Sequence, residues 1–183
     1  MIMTVLELKA LCTATEVLTA TNALLESKLQ AVENLIRKYT NNSFQNRNVR
    51  FEGSITSGSL VGYHSVLAVG DSVQISESQY NDGIYVISAI SDGTITVSGT
   101  LHDEDHCLVT LVKYPSDIKA GVAAMIEWNM TTGTKVGIQS ETLSRHSVTY
   151  FNMDGDNSIM GYPKSLMGFL KPYMKARFGG GIK

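Results

Sequence analysis

Residues 24–44 carry the clearest alternation of apolar and polar positions in the chain. Leu25, Leu29, Val32, Ile36 and Tyr39 recur at intervals of three and four, which stacks them on one face of an α-helix. Glu26, Lys28, Glu33, Arg37 and Lys38 fall mainly on the other positions, and Glu33 with Arg37 forms a favourable i,i+4 pair. Asn41, Asn42 and Ser43 then stop the helix, because short polar side chains compete for backbone hydrogen bonds. The pattern predicts a core helix with a solvated back.

Before it, residues 4–11 predict a short helix. Thr4 is placed as N-cap, Glu7 at the reach-back position of a capping box, and Leu8 and Leu11 inward. The Thr- and Ala-rich residues 13–22 fit a second short helix or a loop, with caps available at Thr15 and Asn22. From residue 51 to 114 helical periodicity disappears. Glycines, β-branched residues and two turn signals, Asn81-Asp82-Gly83 and Ser91-Asp92-Gly93, replace it. Strands are expected at 73–76, 84–90, 94–98 and 107–113, with weaker ones at 49–55 and 65–69. Short strands with turns about every ten residues predict a small closed or half-closed barrel.

A helix is expected to follow from an N-cap at Ser116 or Asp117, with Ile118, Val122, Met125, Ile126 and Trp128 inward. Residues 136–151 alternate in part and predict an extended, hairpin-like arm, and 153–158 a solvated turn. A last helix is expected from Pro163, with Leu166, Phe169, Leu170 and Tyr173 inward and a kink or end at Pro172. The fold class is therefore α+β: a small bundle of about four helices formed by 1–50 and 115–183, an inserted antiparallel β-barrel-like domain at 51–114, and an extended C-terminal arm.

Composition narrows the function. The 183 residues suit one well-buried domain, or a domain with a smaller insert. A net charge of -2 gives no general affinity for nucleic acid or anionic membrane. No apolar run approaches the roughly 18 residues that span a bilayer, and the first residues lack a basic, cleavable leader pattern. The expectation is a protein made and kept in a cytoplasm. Charge is unevenly shared: 51–114 holds 8 acids and 1 base, about -7, and the remainder 9 acids and 14 bases, about +5. Cys12 and Cys107, distant and too few for a disulfide framework, are expected reduced and partly buried.

Catalytic and metal chemistry find little support. His102, His106 and Cys107 with the intervening acids place several metal donors within six residues, but a strand holds the two imidazoles too far apart and supplies no third ligand. An acidic hairpin loop is the simpler reading. Asp154 and Asp156 begin a calcium-loop pattern that no later acid completes. Ser144, Arg145, His146 and Ser147 lack the paired base and glycine-flanked elbow of a nucleophile. No catalytic residue, metal or cofactor is expected. The run Lys164, Lys171, Lys175, Arg177 and Lys183, with no acid after Asp156, is a solvated face, a docking surface for an acidic partner, or a contact to DNA phosphates.

Two stretches resemble a known family. Leu35-Ile-Arg-Lys-Tyr-Thr-Asn-Asn-Ser-Phe resembles the helix end of the head-tail connector (adaptor) proteins of tailed bacteriophages and prophages. Residues 140–150, followed by 161–178, look like the C-terminal arm and helix of the same family. The similarity covers about 4–50 and 115–178 in family order; the β segment departs from it, being similar instead to small barrels of phage structural proteins. The resemblance implies a virion protein of the neck, present in host cytoplasm during assembly. It would form a ring, dodecameric in the family, beneath the portal protein and join the capsid to head-closure or tail-completion proteins. DNA would pass through without sequence-specific binding, and no membrane is involved. On this basis Lys164, Lys171, Lys175, Arg177 and Phe178 are expected to dock on the portal, and Glu26, Glu33, Arg37 and Arg145 to lie between subunits. The alternative is a soluble ligand- or protein-binding module that uses the β insert.

Overall fold

The computed structural model describes residues 1–133, 140–143, 146–149 and 156–176, and it is mixed α and β. The chain divides into two compact units, one of Met1 with Ser43–Tyr114 and one of Ile2–Asn42 with Pro115–Lys183.

The helical unit begins with α1 (Val5–Leu11), where Thr4 and Glu7 make the expected reciprocal capping box. The Thr4 N–H donates to the Glu7 carboxylate at 2.8 Å and the Glu7 N–H to Thr4 Oγ1 at 3.1 Å. Leu8 turns inward, whereas Leu11 is exposed, contrary to expectation. Residues 13–22 resolve into α2 (Thr15–Thr19). Helix α3 (Asn22–Thr40) is capped by Thr21, not Asn22, and stops at Asn41 in the left-handed conformation, φ 50. Leu25, Leu29, Val32 and Ile36 are buried as the spacing predicts.

Helix α4 (Ser116–Thr131) starts one residue earlier than a Ser116 cap would allow. Pro115 is its N-cap and makes no side-chain capping bond, because it can preset the entry dihedral but has no oxygen to offer. Ile118, Val122, Met125 and Ile126 are buried, while Trp128 is half-buried with its ring 5.6 Å from that of Tyr162. Gly121 is required by packing: a Cβ there would lie 2.4 Å from the Phe169 ring.

Strands β7 (Ser140–Leu143) and β8 (His146–Thr149) pair antiparallel as a hairpin, within the segment expected to be extended. The last helix differs from expectation. Pro163 lies in a two-residue strand, and Ser158–Ile159 (β9) pairs with Tyr162–Pro163 (β10). Helical structure starts only at Gly168, as a 3-10 helix, Gly168–Tyr173, that contains Pro172. A short tight helix suits a segment whose proline forbids a continuing α-helical ladder.

The second unit is a six-stranded antiparallel sheet: β1 (Gln45–Thr56), β2 (Ser59–Val61), β3 (Ser72–Ser76), β4 (Gly83–Ser91), β5 (Thr94–Val97) and β6 (Glu104–Val112). Its order is β1-β2-β5-β4-β3-β6, and β6 pairs back onto β1, so the sheet closes. Closure leaves no long unpaired edge. Val73, Ile75, Ile87, Ile95, Val97, Cys107, Val109 and Leu111 fill the interior with the period of two that a sheet imposes. Asp92 and Gly93, both at positive φ, form the tight β4–β5 turn.

Three strand expectations are corrected. β1 is the longest strand and begins at Gln45, in a polar stretch where no alternation is visible. The weak strand at 65–69 is a turn-rich loop in which only Leu67 is buried. The three-residue β2, where no strand was expected, pairs with both β1 and β5 and is too short to show a period.

Candidate functional site

Four places offer candidate surfaces: the back of α3, the basic C-terminal segment, the acidic end of the closed sheet, and the loop between β2 and β3.

On α3, Glu26 is exposed, Arg37 is half-buried and Glu33 is buried at 6 % exposure. Glu33 therefore does not belong to a solvated back. The helix turns only about 100° per residue, so Glu33, directly after Val32 on the apolar stripe, stays toward the buried side. Lys28 reaches across to Asn129 Oδ1 at 2.5 Å, which ties the middle of α3 to the end of α4. Arg145 lies outside the described residues.

In the C-terminal segment, Lys164, Lys171 and Lys175 are exposed, and Arg177 and Phe178 lie outside the described residues. This segment is also structural. Met167 and Leu170 are buried, the Lys175 N–H donates to Thr40 O at 2.8 Å, and Asn42 donates to Tyr173 O at 3.1 Å. The Tyr173 hydroxyl donates to both Asp117 oxygens at 2.8 and 2.7 Å, and that bond raises its pKa above the ordinary tyrosine value.

At the acidic end of the sheet, Asn81-Asp82-Gly83 is not the tight hairpin turn that was expected. β3 and β4 are joined by a six-residue loop whose end is clamped by side chains. Asn81, almost fully buried, donates from Nδ2 to His102 O at 2.9 Å and accepts the His102 N–H on Oδ1 at 2.8 Å, imitating a backbone pair. The Glu104 carboxylate accepts the N–H groups of Gln79 and Tyr80 at 2.7 and 3.0 Å, and it also accepts from the Asn81 amide. The Asp82 carboxylate is held below its ordinary range by hydrogen bonds from the Ser78 N–H and hydroxyl. These carboxylates are engaged in holding backbone, which is a stabilising role rather than a ligating one.

His102 lies before β6 rather than in it, and His106 is an exposed strand residue. The Tyr80 ring, 68 % exposed, stands edge-on to His102 at 6.2 Å. Among the described residues no three His, Cys, Asp or Glu side chains are grouped so as to hold a metal ion. Cys12 and Cys107 are buried free thiols, and burial pushes both above the ordinary thiol value. Among the described residues no helix is long and apolar enough to cross a membrane.

The loop between β2 and β3, where a weak strand at 65–69 was expected, leaves Tyr63, Val66 and Val69 exposed at 56 %, 58 % and 63 %. The only signal for it was the failure of its apolar residues to keep the alternation of a strand.

The chain matches no protein-family model and no curated protein sequence.

Proposed function

We propose that this chain is a structural, non-enzymatic subunit of a phage or prophage neck, a head-tail connector that forms a dodecameric ring beneath the portal. In this reading the helical unit is the connector domain and the small β-barrel-like domain is an insert in it. The observation that carries the reading is the order of parts. The helix end at 35–44 precedes α4 and the β7–β8 hairpin, in the order of the two stretches that resemble the adaptor family, and the closed sheet between them is the departure. The exposed Lys171 and Lys175, with Arg177 and Phe178 beyond them, would dock on the portal, and the other face would meet a head-closure or tail-completion protein. An acidic closed sheet suits an outward decoration or a channel wall along which DNA slides without being held.

Negative-stain images and solution mass of the purified chain, with and without its portal, test this. A ring and a stable ring-on-ring complex are expected; a persistent monomer that never binds portal would sink the reading. The docking residues need point changes, not removal of 164–183, because that deletion takes out the buried Met167 and Leu170. The double change Lys171→Glu with Lys175→Glu is expected to weaken portal binding at least about tenfold with the melting temperature kept.

A binding-module reading has one observation in its favour, the exposed Tyr80 beside His102. Saturation of Tyr80 ring signals by a small-molecule panel, with no portal binding, would favour it instead.

A further inference from the structure

The connection between β2 and β3, residues 62–71, presents unusually apolar side chains on an unusually fixed backbone. Val61, Tyr63, Val66 and Val69 all face solvent. Beneath them the Gly62 N–H donates to Gly93 O at 3.0 Å, Leu67 to His64 O at 3.0 Å, and Gly70 to Ile87 O at 2.9 Å. Asp71 closes the loop, giving its N–H to Ala68 O at 3.1 Å and accepting the Ala68 N–H on its carboxylate at 2.9 Å. Leu67 is anchored in the sheet interior. A loop held this way loses little entropy on binding.

Its surroundings are acidic. Asp71 belongs to the loop, Asp92 to the turn whose Gly93 accepts from Gly62, and the backbone oxygen of exposed Glu52 is 3.5 Å from where a Gly62 Cβ would stand. From 51 to 112 the sequence has no Lys or Arg. An apolar patch in an acidic frame suits a partner that is apolar and basic. Two such loops would repel each other, which disfavours a loop-to-loop two-fold contact.

The chain itself carries a surface of the required kind. Strands β9 and β10 are joined by Met160 and Gly161, at φ 50 and 83, in a two-residue turn. Met160 stands at the tip, 55 % exposed, and exposed Lys164 follows directly, its N–H donating to Asn157 O at 2.9 Å. From 157 to 176 there are three lysines, Lys164, Lys171 and Lys175, and no acid. Methionine adapts readily to an irregular apolar surface.

We propose that the 62–71 loop of one copy receives the Met160 hairpin of a second copy. Met160 packs on Tyr63, Val66 and Val69, and Lys164 faces the frame of Glu52, Asp71 and Asp92. Because loop and hairpin are different surfaces, the contact is heterologous and repeats from copy to copy until rotation closes a ring or leaves a filament. The proposal rests on the ring-forming reading above, and it leaves Lys171, Lys175 and the residues after 176 for the portal.

Cross-linking of the full chain tests it. Val66→Cys and Met160→Cys are made separately, mixed and mildly oxidised; Cys12 and Cys107 are buried and should not interfere. The mixture is expected to give covalent dimer about tenfold above either variant alone. Lys164→Glu in the Met160→Cys chain should reduce that yield several-fold, and Glu52→Lys in the Val66→Cys chain should restore it. No excess in the mixture, from variants that melt as the parent does, overturns the contact. Rings that assemble equally well from Val66→Asp would also overturn it while leaving the connector reading intact. Strong cross-linking in a chain that never binds portal would keep the contact and remove the connector.

Discussion

Gly121 and Glu127 show how single positions hold the helical unit. The Phe169 ring occupies the space where any Cβ on residue 121 would sit, 2.4 Å from its nearest atom, so Gly121→Ala must displace either the ring or α4. We expect a loss of about 1–3 kcal/mol in urea unfolding, partly recovered by adding Phe169→Leu. Glu127 acts across the chain: its Oε1 accepts from the Thr13 N–H at 3.1 Å, the Thr13 hydroxyl at 3.0 Å and the Ala14 N–H at 2.7 Å. It thereby fixes the chain at the entry to α2, whose N-cap Ala14 makes no side-chain capping bond. Desolvation raises the Glu127 pKa, and the three bonds outweigh it, so the folded value lies below the ordinary one. A depressed folded pKa stabilises above the unfolded value, about 4.3, and that stability is lost as pH falls through the folded value. Glu127→Gln should therefore cost about 0.5 kcal/mol at neutral pH, because solvent screens much of the carboxylate's charge, and chemical denaturation should show the gap to the parent closing below about pH 4.

At the scale of elements, the loop between β3 and β4 has its form from its own Ser78, Asn81 and Asp82 as well as from Glu104. With the carboxylate accepting the Gln79 and Tyr80 N–H groups, the loop is fixed to the start of β6. Glu104→Ala should speed hydrogen exchange at those two amides at least about tenfold while β3–β4 amides stay protected; unchanged exchange would refute the clamp. The opposite end of α3 depends on Asn41, whose left-handed backbone suits Asn or Gly and whose side chain donates to Ala176 O at 3.0 Å. Asn41→Ala removes both advantages and is expected to lower stability by about 1–2 kcal/mol, read from thermal melts.

For the whole molecule the dominant feature is charge partition, since residues 51–114 hold 8 acids against 1 base and the C-terminal segment has no acid after Asp156. Association between copies through Lys164 and the acidic frame should weaken severalfold by sedimentation between about 0.05 and 0.5 M salt, as screening shortens from roughly 14 Å to 4 Å. An association strengthened by salt would mark a purely apolar contact and count against the basic hairpin.

Local spacing alone determined what depends on nearest neighbours. The capping box of Thr4 and Glu7, the buried stripe of α3, the Asp92-Gly93 turn and the apolar alternation of β3 and β6 are properties of a few adjacent residues, and adjacent residues set helix and strand periods. Tertiary structure decided what depends on partners distant in sequence. Polar Gln45 and Asn46 become strand because Val112 and Leu111 offer them a ladder, and Arg50 finds Thr110 Oγ1 at 2.9 Å. Ser59–Val61 is a strand only because β1 and β5 flank it, and Glu33 is buried because of what packs over it. The candidate surfaces divide in the same way. The basic run was legible as composition, whereas the apolar 62–71 loop and the Met160 tip emerged only once packing had settled which side chains were left in solvent.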